Sequence, residues 1–365
     1  MYNVIKNKII LFFACLLCVF FCIDRGAFYL FDAMELPLAV IDIQTPTSFY
    51  CKLDYIKRLK GKKIVCLGDS VIYGGTMADY HYSEWKEHTL SKHLERLFSQ
   101  NGFSKQDVHV INLGMNGALP KDLECCFHLL KHMNIDLFIM DVTLRSFSKD
   151  FSHKKDQRSR PWLPFLSIDA KGHYVFSTEN KTLFARIENT LHTFFVNHCY
   201  LYRYKDYLQW YFFNGTPASF FVHIRNAMDS YFSKKETDEK DPFILLLSTK
   251  NRYASVDFAK DNVQYNAFKN ILKCIQHQGM KTILFYANED KEKIDSIIDT
   301  HHYHHLIQTL KTDISSLSCE TLLYLNDIAS LNPEHYIDFV HPNPEGYSII
   351  AKRLFPFVMK VIDHT

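Results

Sequence analysis

The segment Ile64-Val65-Cys66-Leu67-Gly68-Asp69-Ser70 decides the fold, because it joins a short apolar strand to a tight turn that carries a hydroxyl group. An unbroken run of aliphatic residues is typical of a strand that is buried on both faces of a parallel sheet. Gly68 and Asp69 end the strand, and Ser70 opens the segment that follows. Since the carboxyl ends of parallel strands line one edge of a sheet, we expect Ser70 at that edge.

The same alternation of strands and helices continues after Ser70 and resumes near the C-terminus. The predicted strands are Ile64–Leu67, Val108–Ile111, Leu137–Met140, Thr282–Tyr286 and Leu322–Leu325. The predicted helices are Glu84–Phe98, Lys121–Met133, Asn262–His277, Lys291–Leu310 and Pro344–Val358. Strands that alternate with helices indicate crossover connections and a parallel sheet. The predicted fold is therefore an α/β flavodoxin-like three-layer sandwich.

The alternation is interrupted between Asp150 and Asp241. Amphipathic stretches there, such as Leu183–Phe195 and Tyr202–Phe213, indicate a helical insertion at residues 151–240. Segments that follow strand ends in doubly wound folds overlie the active site, so we expect the insertion to be a lid or substrate wall, or else an outlying helical hairpin. The predicted organisation is an N-terminal segment 1–28, a spacer 29–60 and an α/β domain 61–365 that carries the insertion.

The N-terminal segment contains an apolar run from Ile9 to Ile23, which Lys6 and Lys8 precede. This pattern predicts an uncleaved, single-pass transmembrane helix or a signal peptide, although no small-residue cleavage site follows it. Positive charge before the run favours an extracytoplasmic location for the domain, on the periplasmic or cell-surface side. The membrane is therefore an expected partner.

Composition excludes several function classes. The 365 residues include 42 basic and 40 acidic side chains, so no basic surplus indicates a nucleic-acid partner. With 47% hydrophobic residues, the chain is expected to bury a core rather than to be disordered. Cys15, Cys18 and Cys22 lie in the apolar run, and the other seven cysteines have no metal-ligand spacing. The histidines of His301–His305 spread over more than one helix face without a carboxylate to join them. Neither a metal nor a nucleotide cofactor is predicted.

Near the C-terminus, Asp338-Phe339-Val340-His341 places a carboxylate three residues before an imidazole on one short turn. A serine hydroxyl is a weak nucleophile that needs a base within hydrogen-bonding distance and a carboxylate to orient that base. We therefore predict that Ser70, His341 and Asp338 form one catalytic site. His335 is a competing base, but the spacing from Asp338 favours His341.

Two motifs resemble those of the SGNH hydrolases, which are also called GDSL lipases or esterases: Gly68-Asp69-Ser70 after a strand, and Asp338-Phe339-Val340-His341-Pro342 near the end of the domain. The resemblance covers about residues 63–142 and 262–358 and implies the SGNH hydrolase fold. It further implies that Ser70 is the nucleophile, with His341 as general base and then acid, and with Asp338 as the carboxylate that orients the imidazole.

The resemblance also implies an oxyanion hole made by the backbone N–H groups of Ser70 and Gly117, the second glycine of Asn112-Leu113-Gly114-Met115-Asn116-Gly117. The family usually adds an Asn side chain after its third strand, and the equivalent stretch here, Asp141-Val142-Thr143-Leu144-Arg145-Ser146, has none. Loss of one oxyanion donor costs about 2.7 to 4 kcal/mol. Thr143, Asn116 and Arg145 are the candidate replacements. Arg145 is also a candidate for binding a substrate carboxylate or phosphate, unless it is only a surface charge.

The predicted function is that of a serine esterase or acyl hydrolase that acts on acyl or acetyl esters in or near the cell envelope through an acyl-serine intermediate. The expected substrates are acylated carbohydrates or lipid-like esters. Two alternatives stay open. One is an O-acyltransferase that modifies a cell-surface polysaccharide through the same intermediate, and the other is a non-catalytic envelope protein that binds a glycan or a membrane partner. The oligomeric state is left open by the sequence.

Overall fold

The computed structural model describes residues 2–33, 43, 45–152, 160, 162–169, 173–176, 183–206, 208, 249–317 and 319–363. The chain is divided into two compact units. The smaller unit comprises Met1–Ile41, Thr45–Lys52 and Phe165–Asp229, and the larger unit comprises Asp42–Gln44, Leu53–Pro164 and Ser230–Thr365.

The elements of the described residues are numbered in chain order. The strands are β1 (Lys62–Leu67), β2 (Val108–Asn112), β3 (Leu137–Val142), β4 (Leu166–Ile168), β5 (Tyr174–Phe176), β6 (Thr282–Tyr286) and β7 (Leu322–Leu325). The helices are α1 (Tyr2–Ala33), α2 (Pro46–Arg58), α3 (Ser70–Tyr73), α4 (Thr76–Asp79), α5 (Leu90–Gln100), α6 (Pro120–Leu130), α7 (Lys149–Ser152), α8 (Leu183–His198), α9 (Tyr200–Arg203), α10 (Val263–Gln278), α11 (Lys291–Ile297), α12 (Thr300–Ser316) and α13 (Pro344–Asp363). Short 3-10 turns occur at Trp85–His88, Leu144–Phe147, Leu163–Phe165 and Pro333–His335.

The larger unit contains a parallel sheet in the strand order β2-β1-β3-β6-β7. Because β4 and β5 belong to a separate hairpin, β6 and β7 are the fourth and fifth strands of this sheet. Its strand order is therefore 2-1-3-4-5, as in flavodoxin-like doubly wound folds. Ile64 of β1 lies beside Val110 of β2 on one side and Leu137 of β3 on the other. All residues of β3 and β6 are buried, as expected for strands that are covered on both faces. The predicted parallel α/β class is confirmed, and each predicted strand lies within two residues of an observed one.

Helices cover both faces of this sheet. On one face, α5 and α13 pack against each other and share an apolar core with Ile64 and Ile139. Side chains alternate along a strand, so the neighbouring position, Phe138, points to the opposite face. There the ring of Phe138 contacts that of Phe127 of α6, with centroids 5.0 Å apart, and α6 packs along α10. The larger unit therefore has the three predicted layers.

Two predicted helices are interrupted in the structure. The stretch Glu84–Phe98 contains a 3-10 turn, and α5 begins only after Thr89, whose backbone is extended (φ −71°, ψ 159°). The stretch Lys291–Leu310 is divided into α11 and α12, because the Asp299 side chain accepts a hydrogen bond from the His302 N–H (3.0 Å) and starts a new helix. Both interruptions lie within an apolar periodicity that continues across them, and for this reason the pattern alone predicted single helices.

The smaller unit begins with α1, which includes the apolar run from Ile9 to Ile23. Asp24 directly follows this run, is buried, and accepts a hydrogen bond from the Leu201 N–H (2.8 Å) in α9. Within the part of the chain that the structure describes, no helix combines the length and the hydropathy that a membrane span requires. The predicted transmembrane helix is therefore unsupported, and the extracytoplasmic location stays a prediction.

The predicted insertion at residues 151–240 is described in part. Its described residues include the antiparallel hairpin of β4 and β5, followed by α8 and α9. The hairpin is joined to α8 by Asn197, whose side chain accepts from the Tyr174 N–H (2.9 Å) and donates to the Tyr174 carbonyl (2.7 Å). Half of the stretch Tyr202–Phe213 and all of residues 209–248 lie outside the described residues, so the role of the insertion stays a prediction.

Candidate active site

Ser70 is the first residue of α3 and lies at the carboxyl end of β1. Asp69 caps this one-turn helix, because its Oδ1 accepts a hydrogen bond from the Val71 N–H at 2.8 Å. The preceding position has no room for a side chain, since a Cβ on Gly68 would lie 1.9 Å from Oδ1 of Asp141 in β3. The turn therefore fixes the direction in which the Ser70 hydroxyl leaves the sheet.

His341 joins Ser70 to Asp338 through its two ring nitrogens. Nε2 lies 2.8 Å from Oγ of Ser70, and Nδ1 lies 2.7 Å from Oδ2 of Asp338. The other oxygen of Asp338 accepts hydrogen bonds from the N–H groups of Val340 and His341, both at 2.8 Å. One short turn thus holds the carboxylate and the imidazole in contact, and the three side chains form a continuous hydrogen-bonded chain.

Asp338 is held in its ionised form. Burial raises its pKa, but the hydrogen bonds and the charge of His341, together with the Val340 N–H, lower it by more, and the resulting pKa is about 2. An ionised Asp338 accepts the Nδ1–H of His341, which leaves Nε2 to accept the proton of Ser70. The geometry therefore suits a histidine that acts as a general base.

Arg145 reaches the same hydroxyl from the end of β3. Its Nη2 donates to Oγ of Ser70 (3.2 Å) and to Oδ2 of Asp69 (3.4 Å), and its side chain is 17% exposed. Burial by itself lowers the pKa of Arg145, but Asp69 and further acidic groups raise it by more, so the guanidinium stays charged. A permanent cation therefore lies beside the candidate nucleophile.

The carboxyl groups of Asp69 and Asp141 lie side by side. The Asp69 N–H donates to Oδ1 of Asp141 (3.3 Å), and the Thr143 hydroxyl lies 3.5 Å from Oδ2 of Asp69. Burial raises the pKa of Asp69, but the Arg145 charge and nearby hydrogen bonds lower it by more. For Asp141, burial and the charge of Asp69 act in the same direction and raise the pKa well above its usual range. Sequence motifs gave no signal for this pair.

The residues predicted to complete the oxyanion hole lie in different surroundings. Gly117 is exposed in the turn between β2 and α6, with a φ of 68°, and the neighbouring Asn116 is also exposed. Thr143 is buried, and its hydroxyl lies 2.8 Å from that of Ser146. Of the three candidate side chains, Arg145 is the one that contacts the candidate nucleophile in the described structure.

The loop after β2 supports α3 through Asn112 and Gly114. Nδ2 of Asn112 donates to the Ile72 carbonyl at 3.0 Å, and its Oδ1 accepts from the Gly114 N–H at 2.8 Å. A Cβ on Gly114 would lie 2.2 Å from the backbone nitrogen of Tyr73, so glycine is required for this close approach. Both residues therefore hold the helix that carries Ser70, a role that was not predicted from the sequence.

A buried acidic cluster follows β6. Glu289 is 5% exposed and accepts hydrogen bonds from the hydroxyl groups of Tyr253 (2.5 Å), Tyr286 (2.6 Å) and Tyr303. Burial raises the pKa of Glu289, and the three hydroxyl groups oppose that rise without cancelling it. Glu289 also acts electrostatically on Arg145. No motif signals this cluster, because its residues come from separate segments of the chain.

His335, the competing base, faces two glutamates. Its ring nitrogens lie 3.8 Å from Oε1 of Glu334 and 3.7 Å from Oε2 of Glu345. The imidazole in contact with Ser70 belongs to His341.

Ser70 and Arg145 follow two strands that are neighbours in the sheet, β1 and β3. The chain leaves β1 for β2 on one side and later returns to β3 on the other side. Such a reversal is the topological switch point, where doubly wound folds bind ligands outside the carboxyl ends of their strands. The candidate site therefore lies where this fold class binds its substrates.

Comparisons with known proteins find no matching family model and no matching curated protein. The chain is similar to a carbohydrate acetylesterase family member from Sinorhizobium meliloti, with 12% identity, 83% of this chain and 99% of that chain covered, and a TM-score of 0.35. It is similar to a GDSL-like lipase from Bacteroides thetaiotaomicron (11% identity, 85% and 98% covered, TM-score 0.38). It is also similar to a catalytic mutant of an acetylxylan esterase from Geobacillus stearothermophilus (11% identity, 84% and 96% covered, TM-score 0.35).

Replacement of Asp338 by Asn should change the stability in a pH-dependent way. The pKa of Asp338 falls from 3.8 to about 2 on folding, so its ionisation contributes about 2 kcal/mol that is present above about pH 4 and is lost as the pH falls towards 2. We expect Asp338→Asn to lower the free energy of unfolding by about that amount near pH 6, and by less at about pH 3. Urea unfolding followed by circular dichroism measures both values. An equal loss at both pH values would contradict the ionisation assigned to Asp338.

Proposed function

We propose that this chain is a serine esterase of the SGNH (GDSL) type that cleaves acyl or acetyl esters through an acyl-Ser70 intermediate. The observation that carries the proposal is the hydrogen-bonded chain from Ser70 to His341 (2.8 Å) and from His341 to Asp338 (2.7 Å). A hydroxyl with a base at its proton, and with a carboxylate that orients the base, is the arrangement that activates serine for attack on an ester carbonyl.

In the proposed first half-reaction, Nε2 of His341 accepts the Ser70 proton while Oγ forms a bond to the ester carbonyl carbon. The electron pair of the C=O bond moves to the carbonyl oxygen and gives a tetrahedral oxyanion. Collapse of this intermediate breaks the bond to the alcohol oxygen, which leaves with the proton that His341 holds. Water then attacks the acyl-Ser70 with His341 again as base, and the carboxylic acid and free Ser70 are released.

Arg145 supports the proposal, because it places a charged donor beside the attacking hydroxyl and so next to the carbonyl group that Oγ attacks. Its Nη2 contacts Oγ of Ser70 at 3.2 Å, close to the carbon that Oγ attacks. A charge-assisted hydrogen bond is stronger than one from a neutral amide, so we propose the Arg145 guanidinium as the replacement for the family's Asn. The Ser70 N–H, at the first position of α3, has no acceptor within its own helix. The Ser70 N–H and the Gly117 N–H are the other proposed oxyanion donors. Gly117 is proposed only because its motif resembles that of the SGNH hydrolases.

We propose an acylated carbohydrate as the substrate. Tyr80 directly follows α4, Tyr82 lies two residues further on, and they are 51% and 38% exposed. Burial and the charge of Asp338 raise the pKa of Tyr80, which lies within electrostatic range of the triad. Between the two tyrosines, His81 adopts a φ of 61°, and strained backbone of this kind is concentrated at functional sites. An exposed tyrosine presents an apolar ring and a polar tip, which matches the C–H face and the hydroxyl groups of a sugar.

Labelling with a fluorophosphonate probe tests the proposed nucleophile. We expect the wild type to be labelled, Ser70→Ala to show no labelling, and His341→Ala to lose labelling by a factor on the order of 10³ or more. His335→Ala is the matched histidine control and should keep the wild-type rate. A well-folded wild type that is never labelled would overturn the enzyme proposal. If His335→Ala loses labelling while His341→Ala keeps it, His341 is wrongly assigned as the base.

Arg145 variants test the proposed oxyanion donor. Arg145→Met removes the charge, and we expect kcat/KM for p-nitrophenyl acetate to fall by about 10²- to 10³-fold, while Arg145→Lys should lose less because the charge remains. Arg96→Met is the matched control, because Arg96 is 45% exposed and pairs with Glu87 on the surface. Near wild-type kcat/KM in Arg145→Met would remove Arg145 from the mechanism.

Tyr80 variants test the substrate class. Tyr80→Ala should raise KM for an acetylated oligosaccharide by about 2- to 10-fold, because a stacked ring contributes on the order of 1 kcal/mol. The same variant should leave KM for p-nitrophenyl acetate unchanged, and Tyr80→Phe, which keeps the ring, should behave like the wild type. A preference for long-chain lipid esters that is independent of Tyr80 would favour the lipid-like substrate instead.

A further inference from the structure

Asp69 and Asp141 bring two carboxyl groups to one side of Ser70. They are 6% and 5% exposed, so both are withdrawn from solvent. The guanidinium of Arg145 pairs with Asp69, at 3.4 Å between Nη2 and Oδ2. Two ionised carboxylates and one guanidinium would leave a net negative charge next to the point where the proposed reaction develops another one. Such an arrangement would oppose the transition state.

The hydrogen bonds of the two carboxyl groups differ. Asp69 accepts from the Val71 N–H (2.8 Å), from Nη2 of Arg145 (3.4 Å) and from the Thr143 hydroxyl (3.5 Å). Asp141 accepts from the Asp69 N–H (3.3 Å), and its Oδ2 is buried without a donor among the described residues. A buried carboxylate oxygen without a donor is costly. A protonated Asp141 would instead be a donor, and the Asp69 carboxylate is its hydrogen-bonding neighbour.

The surroundings of Asp141 favour a neutral group. Gly68 packs directly against its Oδ1, with no space for a further atom between them. Asp141 also lines a small cavity whose walls are mainly apolar, among them Ala118, Leu123, Met140, Phe147, Phe268 and Ile271, with Asp69, Thr143 and Ser146 as its other polar lining residues. Burial and the charge of Asp69 raise the pKa of Asp141 well above its usual range. An apolar wall disfavours the charged form of a carboxyl group and tolerates the neutral form.

We propose that Asp141 is a neutral carboxylic acid whose O–H donates to the Asp69 carboxylate and thereby fixes Asp69 as the anchor that holds the Arg145 guanidinium against the Ser70 hydroxyl. Asp141 is thus a positioning residue, which acts on Ser70 through Asp69 and Arg145. Its proton also removes one negative charge from the neighbourhood of the developing oxyanion. The effect on rate rests on the proposed esterase function, whereas the protonation state of Asp141 does not.

Two substitutions at Asp141 test whether its side chain acts as a hydrogen-bond donor or only fills space. Asparagine has the shape of a neutral carboxylic acid: its amide oxygen can accept the Asp69 N–H, and its NH₂ group can donate to the Asp69 carboxylate. Asp141→Asn should therefore keep the rate of fluorophosphonate labelling within about 3-fold, while Asp141→Ala should lower it by about 10- to 100-fold. Circular dichroism checks that both variants are folded. If Asp141→Asn is then labelled as slowly as Asp141→Ala, the proposal is overturned.

A double variant tests whether Asp141 acts through Arg145. In the Arg145→Met background the guanidinium is gone, so Asp141→Ala should cause little further loss of labelling, less than about 3-fold. If Asp141 only stabilised the fold, its substitution would lower labelling by the same factor in both backgrounds. Additive effects of the two substitutions would therefore contradict a positioning role.

An infrared measurement tests the protonation state without any activity. The wild type at neutral pH should show the C=O stretch of a protonated carboxyl group, and the difference spectrum between wild type and Asp141→Asn should assign this band to Asp141. Glu289→Gln is the control for Glu289, a second buried carboxyl group whose pKa is raised. A difference spectrum without a protonated-carboxyl band would overturn the inference. If this band is present but wild-type protein is never labelled, the esterase proposal fails while the neutral Asp141 stands.

Discussion

Parallel pairing of β1 with β3 is the constraint on which the candidate site depends. Leu67, the last residue of β1, lies beside Met140 of β3, so the residues that follow each strand meet at the same edge. Asp69 and Ser70 come from one strand end, and Asp141 and Arg145 come from the other. A shift of register by one residue would turn Asp141 to the opposite face of the sheet and separate it from Asp69. The close contact between Gly68 and the Asp141 carboxyl group opposes such a shift, because only glycine at position 68 leaves room for that carboxyl group.

The C-terminal part of the chain is held to this edge by α13. The hydroxyl of Tyr347, near the start of this helix, donates to the Val71 carbonyl in α3 at 2.8 Å. The turn that carries Asp338 and His341 directly precedes the same helix, so the base and the nucleophile are positioned by elements that are bonded to each other. Preorganisation of this kind lets charges and donors act on a reaction without rearranging.

The strands, and the contact of Ser70 and Asp338 with His341, could be predicted from the sequence, because each depends on a local pattern. Apolar runs between helices indicated the parallel sheet, and the spacing from Asp338 to His341 indicated that both side chains point to one place. The contact between Asp69 and Asp141 could not be predicted in this way, since it depends on which strands are neighbours in the sheet. Asp141 lies inside an otherwise apolar strand and has no motif of its own.

The same limit applies to Glu289. Its three tyrosine partners come from the segments around residues 253, 286 and 303, which the fold brings together only after the sheet and its helices are in place. Arg145 was a candidate from its place after the third strand, but its ion pair with Asp69 was not foreseen. A cation that is largely withdrawn from solvent requires a carboxylate partner, and the identity of that partner is a property of the tertiary structure.

Charge balance through the proposed reaction accounts for the number of acidic groups around Ser70. In the resting state, Arg145 is balanced by Asp69, while Asp338 is held ionised beside the His341 ring. In the tetrahedral intermediate the imidazole is positively charged and the substrate oxygen is negatively charged. Two cations then face two carboxylates and one oxyanion, which gives a net charge of −1 if Asp141 is neutral and −2 if it is ionised. A proton on Asp141 thus leaves one negative charge fewer beside the guanidinium that we propose as the oxyanion donor.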